Sequence, residues 1–147
     1  MIRPYAPSDR QALLEIFKRN TPEYFDPAEI NDFTKYLDEC GDTYLTIEYQ
    51  NKIAGGTGYY ISHDDRSGHI SWIFIHPDFK GLGLGREAVE NCLAILKSNP
   101  DVERLGVATS QLTYQFFQRF GFVLVRTEND YWGPGLHLYL MQQFLNK

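Results

Sequence analysis

The segment HPDFKGLGLGREAVENCLAIL spans residues 76–96. Glycines stand at alternate positions, Gly81, Gly83 and Gly85, with Lys80 and Arg86 on either side. Behind them Ala88, Val89, Cys92, Leu93 and Leu96 recur at helical spacing, which predicts a helix from about Gly85 to Lys97. Ahead of them His69 to Ile75 has the content of a strand. A helix start leaves backbone N–H groups unpaired, and glycines let an anion approach without a blocking Cβ. Lys80 and Arg86 would add charge-assisted contacts. The alternative is a plain glycine-rich turn. Two other phosphate motifs fit poorly. A P-loop ends in Gly-Lys-Ser/Thr, but Gly85 precedes Arg86-Glu87; a dinucleotide fingerprint reads Gly-x-Gly-x-x-Gly, but the spacing here is Gly-x-Gly-x-Gly.

Working outward, residues 2–6 read as a short strand. Ser8 then begins a capping-box spacing, and Leu13, Ile16 and Phe17 give the next helix its apolar stripe. Asn20-Thr21-Pro22 ends it. Asp26-Pro27-Ala28-Glu29 starts a second helix, with cap, proline and a glutamate at the third position, and Ile30, Phe33 and Leu37 on one face. Residues 43–49, 53–61 and 69–75 read as an antiparallel meander. After the glycine segment come a strand at Leu105 to Ala108, a helix over Gln111 to Phe120, and strands at Phe122 to Arg126 and Leu136 to Met141. The expected fold is α/β (α+β), a mixed, mostly antiparallel central sheet flanked by helices, in a single domain over residues 1–147.

The chain has 147 residues, 43% of them hydrophobic and 22% charged, as suits one globular domain with a real core. Its net charge of -5 argues against a general nucleic-acid surface. No apolar run is long enough to span a membrane and no signal peptide is visible, so a cytoplasmic protein is expected. Cys40 and Cys92 lack ligand spacing, and neither a metal nor a disulfide is expected.

The chain resembles the GNAT superfamily of acetyl-CoA-dependent N-acetyltransferases. Lys80-Gly81-Leu82-Gly83-Leu84-Gly85 matches the family's Gln/Arg-x-x-Gly-x-Gly/Ala signature, with lysine in the first place. Ile75-His76-Pro77-Asp78-Phe79 matches the corner before it, and Tyr114 to Phe122 a second signature of aromatics followed by Gly-Phe. The resemblance implies acetyl-CoA as cosubstrate, with its pyrophosphate on the backbone of Gly81 to Arg86. Pantetheine would lie where the strand of His69 to Ile75 splays from that of Gly106 to Ala108, pairing with main chain near Phe74 and Ile75. A backbone N–H near Phe74 would polarise the thioester carbonyl. A primary amine, on a small molecule or a peptide, would attack directly in a ternary complex. Cys92 is expected as a packed thiol.

One departure bears on chemistry. The family's usual proton donor is a tyrosine at the position of Phe117, which has no proton to give, although its ring would still line the cofactor site. Tyr114, one helical turn earlier, is the substitute candidate, with solvent as the alternative. For the base, His69 lies beside the expected cleft and has a suitable unperturbed pKa. Glu23 is the freer carboxylate on the acceptor side, because Glu29 has a capping role. The loops Pro22-Glu23-Tyr24-Phe25 and Asn129 to Gly135 are expected to border the amine. Other readings keep the fold but use another acyl-CoA, or hold acetyl-CoA as a regulatory module with little turnover. A homodimer paired through an edge strand at Leu136 to Met141 is a further possibility.

Overall fold

The computed structural model describes residues 1–146; Lys147, the last residue of the expected domain, lies outside the described residues. The strands are β1 (Ile2–Pro4), β2 (Tyr44–Tyr49), β3 (Lys52–Ser62), β4 (Ser67–Ile75), β5 (Arg104–Thr109), β6 (Val123–Gly133) and β7 (Leu136–Phe144). The helices are α1 (Arg10–Arg19), α2 (Glu29–Cys40), α3 (Leu84–Ser98) and α4 (Tyr114–Gln118). The strands form one sheet in the order β1-β2-β3-β4-β5-β7-β6. Every neighbouring pair is antiparallel except β4 with β5.

Each face of the sheet buries its own helices. Leu13, Phe17, Phe33 and Leu37 of α1 and α2 pack with Tyr44 and Phe74 on one side. Val89, Cys92, Leu93 and Leu96 of α3 and Phe117 of α4 pack with Ile70, Val107 and Met141 on the other. Burial of each large apolar side chain stabilises the fold by roughly 1.5–3 kcal/mol. The first helix start differs in detail from expectation. Asp9, not Ser8, closes the turn by accepting from Ala6 N–H at 2.9 Å, and α1 begins at Arg10. The second start is as expected: Asp26 accepts from Ala28 N–H and Glu29 accepts from Asp26 N–H.

Three features of the sheet were not foreseen. The last helix is short, Tyr114–Gln118, because Gln111 to Thr113 form a turn before it. β6 runs on to Gly133 through a bulge at residues 129–132, so the expected loop is a bent strand. β7 lies between β5 and β6; the edge strands are β1 and β6, and Leu136 to Met141 are not free to pair across a dimer.

The parallel pairing of β4 with β5 ends at Ile70↔Val107. Beyond it β4 stays with β3 as far as Ile75↔Gly55, while β5 stays with β7 as far as Thr109↔Tyr139. Two strands held by different neighbours must part, and the gap between them is the site.

Candidate active site

A β-bulge sits at the mouth of this gap. Gly58 pairs with Ser71 and Gly56 with Phe74, so Trp72 and Ile73 together oppose Thr57. Trp72 has φ 50°, a left-handed backbone for a bulky residue. The Tyr44 hydroxyl, fully buried, donates to Trp72 O at 2.8 Å and holds the bulge; burial raises its pKa well above the ordinary value, so it stays protonated. The extra residue breaks the strand's alternation. Strict alternation would put Ile73 and Ile75 with His69 and Ser71, and Ile70 with Trp72 and Phe74. Instead Trp72 and Phe74 join the α1–α2 core, and Ile70 and Ile73 join the α3 core. His76 N–H bonds to Ala54 O at 2.7 Å. By the two-residue alternation of antiparallel bonding, the main chain of Phe74 is turned to Gly56 and that of Ile75 to the gap. A thioester-polarising N–H is therefore better sought at the bulge or at Ile75 than at Phe74.

A cavity of about 930 Å³ fills the gap. One end is the glycine segment. Pro77–Phe79 make a short turn capped by His76 Nδ1, which accepts from Asp78 N–H at 3.0 Å, so His76 has a structural role there. Gly81 and Gly83 follow with φ 83° and 80°, and a Cβ built at either would meet nothing within 4 Å. The loop thus bends as only glycine does easily and faces open space. The first intrahelical bond of α3 runs from Glu87 N–H to Gly83 O, which leaves the N–H groups of Leu84, Gly85 and Arg86 for a ligand. Lys80, Gly81, Gly83, Leu84, Gly85 and Arg86 all line the cavity; Leu82 is exposed and lies outside its wall. These residues fit a pyrophosphate. Lys80 Nζ rests 3.7 Å from the centre of the Tyr24 ring, joining the loop to the α1–α2 connection, and burial lowers its pKa.

The other end is built by the α1–α2 connection, β4 and the β6 bulge. Asn20, 3% exposed, donates from Nδ2 to Ile16 O at 3.0 Å and to Ile75 O at 3.2 Å, tying the end of α1 to the gap-facing carbonyl. Trp132 Nε1 donates to Thr109 O at 3.0 Å and closes the cavity over the end of β5. Gly133 lies so close to the Asp26 carboxylate that it has no room for a Cβ. The two loops expected to border the amine both reach the cavity, through Tyr24, Phe25 and Trp132. Glu23 is exposed and off the cavity wall, and Asp130 is spent on a turn, accepting from Gly135 N–H at 2.7 Å. The carboxyl that lines the cavity is Glu29, 7% exposed; burial raises its pKa to about 7.

His69 also lines the cavity, beside the last parallel pairs. Its ring stacks on Tyr60 with centroids 4.6 Å apart and crosses Gly106, where a Cβ would come within 2.7 Å of Nδ1. The Ser67 hydroxyl donates to Asp65 Oδ1 at 2.5 Å and lies 2.7 Å from His69 Nε2. Hydrogen bonds from Ser67 and Arg104 hold the Asp65 pKa far below the usual range, so Asp65 accepts and does not donate. The hydroxyl has one proton, given to Asp65, so it must accept from Nε2–H. A neutral His69 therefore carries its lone pair on Nδ1, and burial lowers its pKa, favouring that neutral form. Sequence reasoning found His69 but not its partners Ser67, two residues earlier on β4, and Asp65, in the turn before it, whose spacing alone gives no signal.

On the β5–α4 wall Phe117, 2% exposed, lines the cavity without a proton to donate. Tyr114 does not line it: its ring packs on Tyr139, 4.7 Å away. The hydroxyl missed by sequence reasoning is Ser110, 6% exposed, which accepts from Leu112 N–H at 3.2 Å and whose own proton has no acceptor among the described residues. Cys92 is fully buried in the α3 core, its pKa pushed up to about 11 by burial, as a packed thiol should be. Among the described residues no cluster of side chains suits a metal ion, and no helix is long and apolar enough to cross a membrane.

Parting strands with a glycine cradle at one end of the gap are the arrangement that the resemblance to acetyl-CoA-dependent transferases implies. The chain belongs to the acetyltransferase (GNAT) family, whose model matches residues 10–122. It is 25% identical over 146 residues to an N-alpha-acetyltransferase of Sulfolobus acidocaldarius, covering 90% of this chain and 80% of that protein. Its fold is similar to that of Ard1 from Thermoplasma volcanium, with a TM-score of 0.81 at 16% identity over 100% of this chain and 98% of that one. It is similar also to Rv2747 from Mycobacterium tuberculosis, solved in complex with CoA, with a TM-score of 0.77 at 16% identity over 99% of each chain.

Proposed function

We propose that this acetyltransferase moves the acetyl group of acetyl-CoA to a primary amine by direct attack in a ternary complex. The observation that carries this reading is one continuous cavity with a phosphate cradle at one end and an aromatic, carboxyl-bearing wall at the other. Both substrates can occupy it together, so no residue need carry the acetyl group between them. Bound acetyl-CoA supplies an acyl group already activated as a thioester. The chain's part is to hold, orient and move protons. Backbone N–H groups of Leu84, Gly85 and Arg86 hold the pyrophosphate, and the gap-facing main chain of Ile75 orients pantetheine. The Trp72–Ile73 bulge offers a backbone donor to the thioester carbonyl, where charge develops.

His69 Nδ1 takes the proton that the amine sheds, directly or through water, with Ser67 and Asp65 fixing the tautomer. Ser110 relays a proton from solvent to the departing sulfur, giving its own hydroxyl proton as it takes one from water, a task Phe117 cannot perform and Tyr114 does not face. The S. acidocaldarius relative is named for transfer to an α-amine, which supports a peptide N-terminus among the acceptors. The test is turnover of a panel of amines and short peptides by the wild type, His69→Ala and Ser110→Ala. Loss of roughly tenfold or more in kcat/KM in each variant, with acetyl-CoA affinity kept, supports these roles; unchanged kcat/KM refutes them.

A further inference from the structure

The charges of the cavity are divided. Lys80, Arg86 and Arg119 stand at the glycine end, whereas Glu29 is the one acidic side chain among the described residues that line it. Glu29 is more than nine-tenths buried, and no lysine or arginine pairs with it among the described residues. Its Oε2 is fixed by Asp26 N–H at 2.9 Å. Its second oxygen has no protein donor among the described residues. Asp26 and Asp32 are the charged neighbours that act on it, and both repel an ionised carboxylate. A buried carboxylate without a cation is costly, so the wall lacks one positive charge. Beside it the rings of Phe25 and Trp72 stack 6.3 Å apart at 23° and both line the cavity. Aromatic faces next to a carboxylate suit an ammonium carried on an apolar body.

We propose that Glu29 holds the acceptor's ammonium group, and so selects a primary amine with a single charge on an apolar or aromatic body. The selection follows from the count. A second or third ammonium, as in a polyamine or an aminoglycoside, finds no further carboxylate among the described residues that line the wall and meets Lys80 or the arginines instead. Glu29 has two functions, then: one oxygen caps α2 and the other faces the substrate. This inference rests on the acetyl-transfer reading for its purpose, but not for its test.

Glu29→Gln separates the two functions, because glutamine also closes a capping box. The probes are 2-phenylethylamine, with one charge and an aromatic body, and spermidine, with several charges and none. Each is titrated calorimetrically into CoA-loaded protein near pH 8, where Glu29 is ionised. Wild type is expected to bind 2-phenylethylamine at least about tenfold more tightly than spermidine, and Glu29→Gln to lose roughly tenfold or more of that affinity. Acetyl-CoA affinity and the circular dichroism spectrum should stay unchanged. Equal 2-phenylethylamine affinity in the variant, tighter spermidine binding, or a wild type that binds neither amine would each overturn the proposal. A wild type that binds 2-phenylethylamine through Glu29 but never acetylates it would refute the transfer reading alone.

Discussion

Replacing Glu29 by glutamine should make the protein more stable, and most so at alkaline pH. The folded pKa is about 7 against an ordinary 4.5, raised first by burial and then by Asp26 and Asp32. A raised carboxyl pKa means that the folded state resists ionisation. Below about pH 4.5 the group is protonated in both states and costs nothing; the penalty grows as pH rises and is complete above about pH 7. A difference of about 2.5 pH units at 1.36 kcal/mol each gives roughly 3 kcal/mol. This is an upper value, since the buried amide of glutamine takes back a part. For a chain of this size each kcal/mol shifts Tm by roughly 2–4 °C, so the variant should melt up to about 10 °C higher near pH 8.5. Near pH 4 the two curves should nearly coincide. The assay is thermal unfolding of both proteins across that range, without substrates. A constant Tm difference at all pH values, or a variant less stable at alkaline pH, would refute the view that Glu29 is held in an unfavourable site.

Three further outcomes are expected. Gly83→Val should weaken CoA binding by tenfold or more in calorimetry, since the side chain enters the open cradle and φ 80° suits it badly, whereas Gly85→Ala, whose Cβ would meet Phe116 at an ordinary 3.6 Å, should keep affinity within about twofold. Tyr114→Phe should leave kcat unchanged over the alkaline range while Ser110→Ala lowers it; the opposite pattern in steady-state kinetics would return the acid to Tyr114. Asp9, whose pKa is held at about 2 chiefly by Arg3, stabilises the folded state above pH 3.8 and loses that effect as pH falls through about 2. Asp9→Asn should therefore cost about 2 kcal/mol in denaturant unfolding at neutral pH and much less near pH 2.

Much of the fold was legible because its signals are local. The Asp26–Glu29 cap, the stripe of Val89, Cys92 and Leu96, and the alternating glycines are each written within a turn or two of chain. The glycine loop could be read as an anion site for the same reason: helix ends and Cβ-free backbone suffice to define it. What failed was non-local. Trp72 looks like any strand residue until Tyr44, 28 residues away in sequence, bonds to its carbonyl and turns the faces of β4 over. The order of β7 and β6 is fixed by which strand β5 accepts, and the apolar run Val123 to Val125 gives no hint that it lies on the edge, exposed. The acceptor wall misled for a subtler reason. Glu29 has a visible role as a cap, which favours Glu23 in the sequence, yet Glu23 is exposed and reaches the site only through Tyr24 and Lys80. Tyr114 was chosen by helical phase on a helix that proves to be only five residues long.

The central claim is acetyl transfer to an amine, and one measurement addresses it directly. Protein and acetyl-CoA are mixed with single amines and short peptides, and free CoA thiol and acetylated amine are quantified in the same sample. The account predicts that both appear in equal amounts, only when an acceptor is present, and are sharply reduced in Gly83→Val. Tight binding of acetyl-CoA with no acetylated product from any acceptor would contradict it, and would leave a protein that holds the thioester without using it.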